Sequence, residues 1–367
     1  MSDASRGRAV KVLVAMSGGV DSSVAAALLR DAGHEVVGVT MKLWGGESDT
    51  GCCSVADVDD ARRVAQQLGL DHVVFNFGDD FAAHVVEPYL EAHVAGQTPN
   101  PCVECNRHLK FARLAERAEQ LGFDALATGH HARVAPPADG RGWRLGRGVD
   151  RAKDQSYVLH MLGQRDLART LLPVGQLRKA EVRARAAALG LRTAGKADSQ
   201  DVCFITSQHG RRAFVGTRRP LHPGTVVDTG GRRLGEVPAV ELVTVGQRKG
   251  LGGPGGEPAR YVVDVDVPAR RVTVGWHDDL LVEEQDALAW RWVDGVIEDA
   301  VLAAGTAGPV LVQVSAHGRP RPATLVLADS GVVTVRWHDR ERRVAPGQSV
   351  VAYDRTDELV LGGGLAA

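Results

Sequence analysis

Two hydrophobic periods alternate along the first half of the chain. Short apolar runs of strand length cover residues 12–16, 34–44, 71–77 and 123–128. The segments between them, such as the one that follows Ser54, carry apolar residues three or four positions apart, which is typical of amphipathic helices. Strands that alternate with helices predict an α/β fold with a doubly wound parallel sheet, in which ligands bind beyond the carboxyl ends of the strands.

The pattern changes near residue 208, where short β-rich runs separated by Gly, Pro and Asp turns replace the long helical stripes. We therefore predict an α/β catalytic domain over residues 1–207, a small β-rich domain over 208–277 and a second one, a β-barrel, over 278–367. A length of 367 residues is consistent with this division, because it exceeds what one hydrophobic core usually serves.

Composition narrows the class of protein. A formal net charge of −1 gives no overall nucleic-acid signature, so any basic surface must be local. No apolar run reaches the roughly 18 residues of a membrane span, and the first eight residues lack the apolar core of a signal peptide. The five cysteines, an odd number, do not suggest a secreted disulfide framework. We expect a cytoplasmic protein.

The strongest chemical signal is the sequence Ser-Gly-Gly-Val-Asp-Ser-Ser at residues 17–23. It lies between a buried strand and a helix whose N-cap we predict to be Ser22 or Ser23. Glycines let the backbone approach a ligand, and the free N–H groups of the helix N-terminus attract anions. Asp21 could hold a metal beside a phosphate. The segment is not a Walker A loop, and the alternative is an ordinary turn.

The cysteines give a second, weaker signal. Two prolines, at 99 and 101, favour an extended approach, and Pro101 predicts a helix start that places Cys102 and Cys105 on one face of its first turn, where a thiolate is favoured. The C-x-x-C spacing also fits structural zinc or a redox pair, although a second C-x-x-C is absent and Cys52 and Cys53 are vicinal. The residues around Cys203 leave a buried structural role and the edge of a site equally open.

Two further motifs carry less weight. The sequence at 250–255 formally matches G-x-G-x-x-G, but it contains proline and opens no helix, so we interpret it as a flexible basic loop. His130 and His131 are predicted to lie on a strand and to point to opposite faces. One catalytic or substrate-contacting histidine is therefore favoured over a metal pair.

The motif at 17–23 resembles the PP-loop of ATP pyrophosphatases, which cleave ATP between the α and β phosphates. Further motifs then follow in order along nearly the whole chain: NPCVEC at 100–105, ATGHHARV at 127–134, KDQSYVL at 153–159, DSQDVCFI at 198–205, VGQRKGLGG at 245–253 and APGQSVVAYD at 345–354. Together they make the chain similar to the tRNA-specific 2-thiouridylases.

This resemblance implies ATP-dependent 2-thiolation of the wobble uridine of tRNA, position 34. ATP and Mg²⁺ would adenylate the 2-oxygen, and Cys203 would carry a persulfide received from a cysteine desulfurase or a sulfur relay protein. Cys105 would assist release of the sulfur, leaving a transient Cys105–Cys203 disulfide, or would first release a hydrogen sulfide equivalent. The substrates would be tRNAs of the Glu, Gln and Lys type. A mobile loop around Cys203 would let the two cysteines meet.

The resemblance also assigns binding residues. The ATP site would comprise Ala15, Met16, Ser17, Gly18, Gly19, Val20, Asp21, Ser22, Met41 and Gly129. The tRNA and its target base would contact Asn100, Pro101, Cys102, His130, Lys153, Asp154, Gln155, Gln348 and the basic stretch near 211–219. No metal-ligand set is assigned to the protein itself.

One position departs from the family pattern, because many members have aspartate where this chain has Cys102. The acid–base role of that aspartate would be vacant here or taken by another group, Asp154 or a water molecule. Two alternatives to thiolation stay open. One is another PP-loop ligase acting on a small carbonyl compound, and the other is a non-catalytic ATP- and tRNA-binding protein with a cysteine zinc site. The sequence does not decide the sulfur donor, the reductant, the roles of Cys52 and Cys53, or the oligomeric state.

Overall fold

The computed structural model describes residues 9–44, 55–136, 142–198, 202–205, 210–251, 259–293, 301–328 and 330–367. In the first half of this described chain the strands are β1 Lys11–Ala15, β2 Glu35–Lys42, β3 Asp71–Asn76, β4 Ala125–Ala127, β5 Ala132–Ala135, β6 Arg144–Arg147 and β7 Thr170–Leu171. Strands β3-β2-β1-β4-β7 form one sheet in that order with all pairs parallel, and β5 and β6 form an antiparallel hairpin. The predicted parallel α/β sheet is confirmed.

Helices cover both faces of this sheet. The α-helices are α1 Val20–Asp31, α2 Val55–Leu68, α3 Gly78–Phe81, α4 Glu87–Val94, α5 Pro101–Glu104, α6 Leu114–Gln120, α7 Gln164–Ala168, α8 Lys179–Ala188 and α9 Gly210–Gly216. Turns of π-helix, Ala82–Val86 and Cys105–Arg113, join α3 to α4 and α5 to α6. Short 3-10 helices occupy Ser156–Leu159, Pro173–Gln176, Val240–Leu242 and His277–Leu280.

The side chains of β1 point alternately into two hydrophobic core clusters, one on each face of the sheet. Val12 and Val14 pack with α1, α2 and α8 on one face of the sheet. Leu13 packs on the other face with the helical segments from α3 to α6. Because side chains alternate across a strand, the apolar run that identified β1 in the sequence supplies both layers.

The second half of the described chain is mostly β-structure. Strands β8 Gly224–Asp228, β9 Arg233–Val237, β10 Tyr261–Asp266 and β11 Arg271–Gly275 form a mixed sheet in the order β10-β11-β8-β9. Strands β12 Leu281–Trp292, β13 Thr306–Gln313, β14 Arg321–Leu327, β15 Val333–Arg342, β16 Ser349–Tyr353 and β17 Val360–Ala366 close into an antiparallel barrel. The predicted barrel is confirmed, whereas the domain divisions near residues 208 and 278 stay predictions.

Several predicted element boundaries are wrong. Helix α1 begins at Val20 with Gly19 at the N-cap, so Ser22 and Ser23 lie inside the helix, and both hydroxyls donate to the Gly19 carbonyl at 3.2 and 2.8 Å. His130 and His131 follow β4 instead of lying on a strand. Among the described helices, none is both long and apolar enough to cross a bilayer.

Candidate active site

The loop between β1 and α1 lies at the carboxyl edge of the parallel sheet. Its backbone is fixed on both sides: the Met16 N–H donates to the Val39 carbonyl at 2.8 Å, and the Ser17 N–H donates to Ser22 Oγ at 3.1 Å. Gly18 has a φ of +70°, and a Cβ atom there would lie 2.4 Å from the Asp57 carbonyl oxygen. Only glycine fits a left-handed conformation that also presses against the first turn of α2.

Gly129 closes the other side of this loop. It follows β4, and a Cβ atom on it would lie 2.6 Å from the Ser22 nitrogen and 2.8 Å from the Asp21 carbonyl carbon. The structure thus brings Gly129 against the first turn of α1, where free N–H groups point to the carboxyl edge. Met41, near the end of β2, is buried in the core on the α3–α6 side of the sheet.

Asp21 is held by two partners that its place in the sequence does not reveal. Lys179 Nζ donates to both carboxylate oxygens at 2.8 and 2.7 Å, and His131 Nε2 lies 3.1 Å from Oδ1. Burial acts to raise the pKa of Asp21, but the hydrogen bonds from His131 and Lys179 outweigh it and the pKa lies below its ordinary value. Asp21 is therefore an ion-paired carboxylate that keeps a lysine at the loop.

Lys179 also reaches Asp198, the last described residue before the Cys203 segment. Asp198 Oδ1 accepts from Lys179 at 2.9 Å and from Arg183 at 2.9 Å, and Oδ2 accepts from Lys153 at 2.8 Å. Burial acts to raise the pKa of Asp198, yet the bonds from Lys153 and Lys179 depress it far below its ordinary range. We call Asp21, Lys153, Lys179, Arg183 and Asp198 the lysine–aspartate cluster.

The described residues do not fit a dedicated Mg²⁺ site. Mg²⁺ in proteins is usually held through one or two carboxylates together with substrate phosphates. Both oxygens of Asp21 already accept from Lys179, and the described part of the chain holds no group of three or more His, Cys, Asp or Glu side chains placed for a metal. The suggestion that Asp21 holds a metal is therefore not supported by its surroundings.

His130 is a buried neutral imidazole. Its Nδ1 lies 2.7 Å from the hydroxyl of Thr128, and its ring contacts Phe111 with 5.9 Å between centroids. Burial, with smaller contributions from Lys110 and His131, lowers the pKa of His130 well below its ordinary value. At neutral pH this residue can therefore exchange hydrogen bonds but carries no charge.

The segment from Thr98 to Cys105 is clamped where the barrel meets the α/β sheet. The Thr98 N–H donates to the Pro346 carbonyl at 2.7 Å, and Gln348 Nε2 donates to the Thr98 carbonyl at 2.5 Å. Asn100 then caps α5 by accepting from the Cys102 N–H at 3.1 Å, with Pro101 buried at the first helical position. The structure thus places Gln348 beside the NPC segment, 250 residues away in sequence.

The cysteines of this segment differ in environment. Cys102 is exposed, whereas Cys105 is 8% exposed and belongs to the core on the α3–α6 side. The prediction that both cysteines lie together on one accessible face is therefore wrong, because Cys105 packs into the core although the helix is regular up to that residue. Only Cys102 faces solvent.

Cys203 is half-buried and packs against the same core as Cys105, on the same side of the sheet. Its neighbour Phe204 is anchored in an aromatic group, with ring centroids 5.6 Å from Phe81, 5.4 Å from Tyr89 and 5.0 Å from Phe214. Residues 199–201 lie outside the described residues, as do Cys52 and Cys53. The predicted mobility of this segment stays a prediction.

Asp154 does not have the surroundings of an acid–base group. Its carboxylate accepts from Arg147 at 2.8 Å, from the Gly148 N–H at 2.8 Å, and from Ser156 through both N–H and hydroxyl at 3.2 and 2.8 Å. Its side chain is 5% exposed. These surroundings do not support Asp154 as the replacement for the family aspartate, because a buried carboxylate with four donors has no oxygen left for a substrate, and its role stays a prediction. Gln155 accepts from the His131 N–H at 2.9 Å and so orients the loop after β4.

The basic stretch near 211–219 is partly committed to internal contacts. Arg211 donates to the Leu242 carbonyl at 2.9 Å, Arg218 lies 4.1 Å from the Phe214 ring centroid, and Arg219 pairs with Glu87 at 2.5 Å. These contacts fasten α9 to its neighbours. A role in tRNA binding stays a prediction.

Comparison with known proteins agrees with this architecture. Residues 10–207 match the family model described as tRNA methyl transferase HUP domain, and residues 286–366 match the aminomethyltransferase beta-barrel domain. A curated relative from Chloroflexus aggregans, named tRNA-specific 2-thiouridylase MnmA, is 47% identical over 97% of this chain and 98% of its own length. This chain belongs to the tRNA-specific 2-thiouridylase family. Two other relatives named tRNA-specific 2-thiouridylase MnmA also match over nearly their whole length. The protein of Roseiflexus sp. (strain RS-1) is 44% identical over 97% of this chain and 99% of its own length. The protein of Geotalea uraniireducens is 44% identical over 96% of this chain and 94% of its own length.

Solved structures are more distant. A U34-tRNA thiolase, NcsA from Methanococcus maripaludis, is 18% identical over 57% of this chain and 63% of its own, with a TM-score of 0.36. The family assignment thus rests on the 2-thiouridylase sequences and not on these structures.

Sequence reasoning missed Lys179, Lys196 and Asp198 as site residues. Lys179 stands in a stretch that carries more basic than acidic residues, and Asp198 is the first residue of the motif DSQDVCFI. Lys196 Nζ donates to the Gly18 carbonyl at 3.0 Å and pairs with Asp57 and Asp60 at 2.6 and 2.8 Å. The available signal was an excess of basic residues between 176 and 196, which only the fold connects to residues 17–22.

Proposed function

We propose that this chain is an ATP-dependent tRNA sulfurtransferase that converts the wobble uridine, U34, to 2-thiouridine. The observation that supports this most directly is a lysine shared between the anion-binding loop and Asp198, which precedes Cys203 by five residues. Lys179 bonds Asp21 of the loop and Asp198 within 2.9 Å. Membership of the 2-thiouridylase family over 97% of the chain supports the same activity.

ATP would bind at the carboxyl edge of the sheet. The backbone of residues 15–22 would accept the phosphates at the N-terminus of α1, and Lys179 supplies a positive charge beside the same turn. Gly129 and Met41 would lie towards the adenosine. Mg²⁺ stays a prediction, since the described side chains do not form a site for it.

The target base would enter between the NPC segment and the loop after β4. A base must leave its stack before C2 can be modified, which requires a pocket lined by groups that exchange hydrogen bonds. Asn100, Pro101 and Cys102 would line one side and His130 the other, with Lys153, Gln155 and Gln348 nearby. Burial keeps His130 neutral, which suits recognition of an uncharged uracil edge.

The reaction would proceed in two steps. The 2-oxygen of U34 attacks the α-phosphorus, so pyrophosphate leaves and an O2-adenylated base forms. The terminal sulfur of a Cys203 persulfide then attacks C2, and AMP leaves with the former 2-oxygen. The Cys105 thiolate attacks Cys203 Sγ, which breaks the S–S bond and leaves the sulfur on C2 and a Cys105–Cys203 disulfide. A dithiol reductant restores both cysteines, and a persulfide donor reloads Cys203.

A variant of the second step delivers the same sulfur differently. Cys105 would attack the Cys203 persulfide first, and the hydrogen sulfide released would attack C2. Since the surroundings of Asp154 do not support an acid–base role, a water molecule would transfer the proton at the base. Cys102, being exposed, would contact the base without acting as an acid.

The proposed partners are tRNAs of the Glu, Gln and Lys type and a persulfide donor, either a cysteine desulfurase or a sulfur relay protein. The three-domain division and a cytoplasmic location belong to the same proposal. Most phosphate contacts with tRNA would come from local basic patches, so affinity should fall steeply with salt despite a net charge of −1.

The test is a thiolation assay with wobble-unmodified tRNA, ATP, Mg²⁺ and a persulfide source, read by mass spectrometry of 2-thiouridine. Cys203→Ser and Cys105→Ser should abolish product, whereas Cys102→Ser should retain it. AMP formation without 2-thiouridine in the unmodified chain would show that the substrate is wrong. Product that survives loss of all three cysteines would overturn the mechanism.

A further inference from the structure

The segment that leads to Cys203 is fastened to the nucleotide loop at three successive points. Thr193 Oγ1 donates to Ser23 Oγ at 3.1 Å, in a fully buried contact. Lys196 donates to the Gly18 carbonyl at 3.0 Å. Asp198 reaches Asp21 through the shared Lys179. The chain from 193 to 198 therefore follows the loop closely.

Asp198 is the last of these fastenings. Cys203 follows five residues later, so its Cα can lie no more than about 18 Å from that of Asp198 even in an extended chain. On the far side, Phe204 is 2% exposed inside its aromatic group. In sequence, Cys203 thus lies between two anchored residues, Asp198 and Phe204. Asp198 is the one that shares Lys179 with the nucleotide loop.

The charge on Asp198 balances an excess of cations. Lys153, Lys179 and Arg183 all donate to it within 2.9 Å. Arg183 also donates to the Ala194 and Lys196 carbonyls, both at 2.9 Å, and so binds the whole segment to α8. An uncharged side chain at 198 would leave Lys153, Lys179 and Arg183 without the carboxylate that they share.

We propose that Asp198 is a positioning residue that ties the Cys203 segment to the nucleotide loop through Lys179. Lys179 is shared by Asp21 and Asp198, so phosphates that arrive at the loop compete with Asp198 for the same ammonium group. Nucleotide binding thereby changes how firmly the Cys203 segment is held. This role deepens the proposed function and rests on it for the identity of the sulfur-transfer step.

The first test is independent of tRNA. Alkylation of Cys203 by iodoacetamide, followed by peptide mass spectrometry, should change in rate by about fivefold or more when ATP is added, which is the lower end of ordinary coupling between two sites. Asp198→Asn should remove this response while ATP still binds, because Lys179 keeps Asp21. Asp198→Glu should restore part of it.

Asp60→Asn is the matched control. Asp60 is 19% exposed against 22% for Asp198, and its loss leaves Lys196 paired with Asp57. This variant should keep the ATP response. Lys153→Gln is a second probe, because it removes one donor to Asp198 from a side chain that is 39% exposed and so does not endanger folding. This variant should reduce the effect of ATP on Cys203 alkylation, as Asp198→Asn does.

The second test separates this inference from the proposed function. Asp198→Asn should lower single-turnover thiolation by about tenfold or more, as expected for a misplaced reacting group, while pyrophosphate is still formed and ATP binds no more weakly than in the parent, because Asp198 no longer competes for Lys179. If the parent chain makes no 2-thiouridine, the proposed function is wrong. If the parent makes it and Asp198→Asn keeps both the parental rate and the ATP response of Cys203, the role of Asp198 is refuted.

Discussion

Replacing Asp154 by asparagine removes a negative charge from a buried cluster that joins the α/β sheet to the barrel. Arg147 is the centre of this cluster: it donates to Asp154 at 2.8 Å, to Asp357 at 2.6 Å and to Gln313 at 2.8 Å, and its guanidinium lies 3.6 Å from the ring centroid of Tyr353. The side chains of Arg147 and Asp154 are 6% and 5% exposed.

The loss in free energy of unfolding follows from the hydrogen-bond donors that face the Asp154 carboxylate. Gly148 and Ser156 donate N–H groups to one oxygen, while Arg147 and the Ser156 hydroxyl donate to the other. An amide has only one accepting oxygen, so its NH2 group would face two donors. Breaking a buried ion pair costs about 3–5 kcal/mol, and because Asp357 still pairs with Arg147 we expect about 3 kcal/mol, a fall in Tm of roughly 6–12 °C.

The assay is urea unfolding and thermal melting of Asp154→Asn, with Asp278→Asn as the control. The Asp278 side chain is 89% exposed, so the control should stay within about 0.5 kcal/mol of the parent. Well below its melting temperature, Asp154→Asn should retain thiolation with an unchanged pH profile. A variant that melts like the parent but has lost thiolation would refute the structural role and restore Asp154 as an acid–base candidate.

Two further predictions concern the nucleotide loop. Gly18→Ala and Gly33→Ala both force alanine into a left-handed backbone, with φ of +70° and +83°, but only the former meets another atom, the Asp57 carbonyl oxygen. Each should lose about 1–2 kcal/mol of stability, and only Gly18→Ala should also lose ATP binding in a calorimetric titration; equal ATP affinity in both would contradict the geometry. The pKa of Asp21 lies below its ordinary value in the folded chain, so its contribution to stability is present at neutral pH and is lost as the pH falls through the folded-state pKa. The unfolding free energy of the parent should therefore decline below about pH 4 more steeply than that of Lys179→Met, in which His131 alone is left to oppose the effect of burial on the carboxylate, and parallel pH profiles would refute the pairing with Lys179.

The sequence carried enough information to predict the sheet, the loop and the barrel, because each depends on local patterns. The apolar run before Ser17 predicts a buried strand, and the glycines after it predict a turn that precedes a helix. Strands β1 to β3 lie within a few residues of their predicted positions. Such features are set by residues close in sequence, where periodicity and turn chemistry are informative.

The ion pairs of the site could not be predicted in this way. Lys179 pairs with Asp21, which is 158 positions away in the sequence, and Arg147 pairs with Asp357, which is 210 positions away. A charged residue has many possible partners in a chain of 44 basic and 45 acidic residues, and only the fold selects one. Nothing in the motif KDQSY shows that the carboxylate of Asp154 faces a buried arginine, so its ion-pair partner could not be predicted.

The difference between Cys102 and Cys105 depends on what packs around them. Their spacing fits neighbouring positions on one helical face, and the backbone between them is helical, with the Cys105 N–H bonded to the Cys102 and Pro101 carbonyls. Cys105 is nevertheless buried in the core while Cys102 is exposed. The position of Gln348 against Thr98 likewise depends on tertiary structure, namely the docking of the barrel.

The fate of the 2-oxygen of the wobble uridine decides whether the base is adenylated. A tRNA anticodon stem-loop labelled with ¹⁸O at C2 of U34 is incubated with the protein, ATP, Mg²⁺ and a persulfide source, and the AMP and pyrophosphate are analysed by mass spectrometry. We expect 2-thiouridine together with AMP that carries the ¹⁸O label. Unlabelled AMP, with the label still in the RNA or released as water, would contradict adenylation of the base and with it the proposed function.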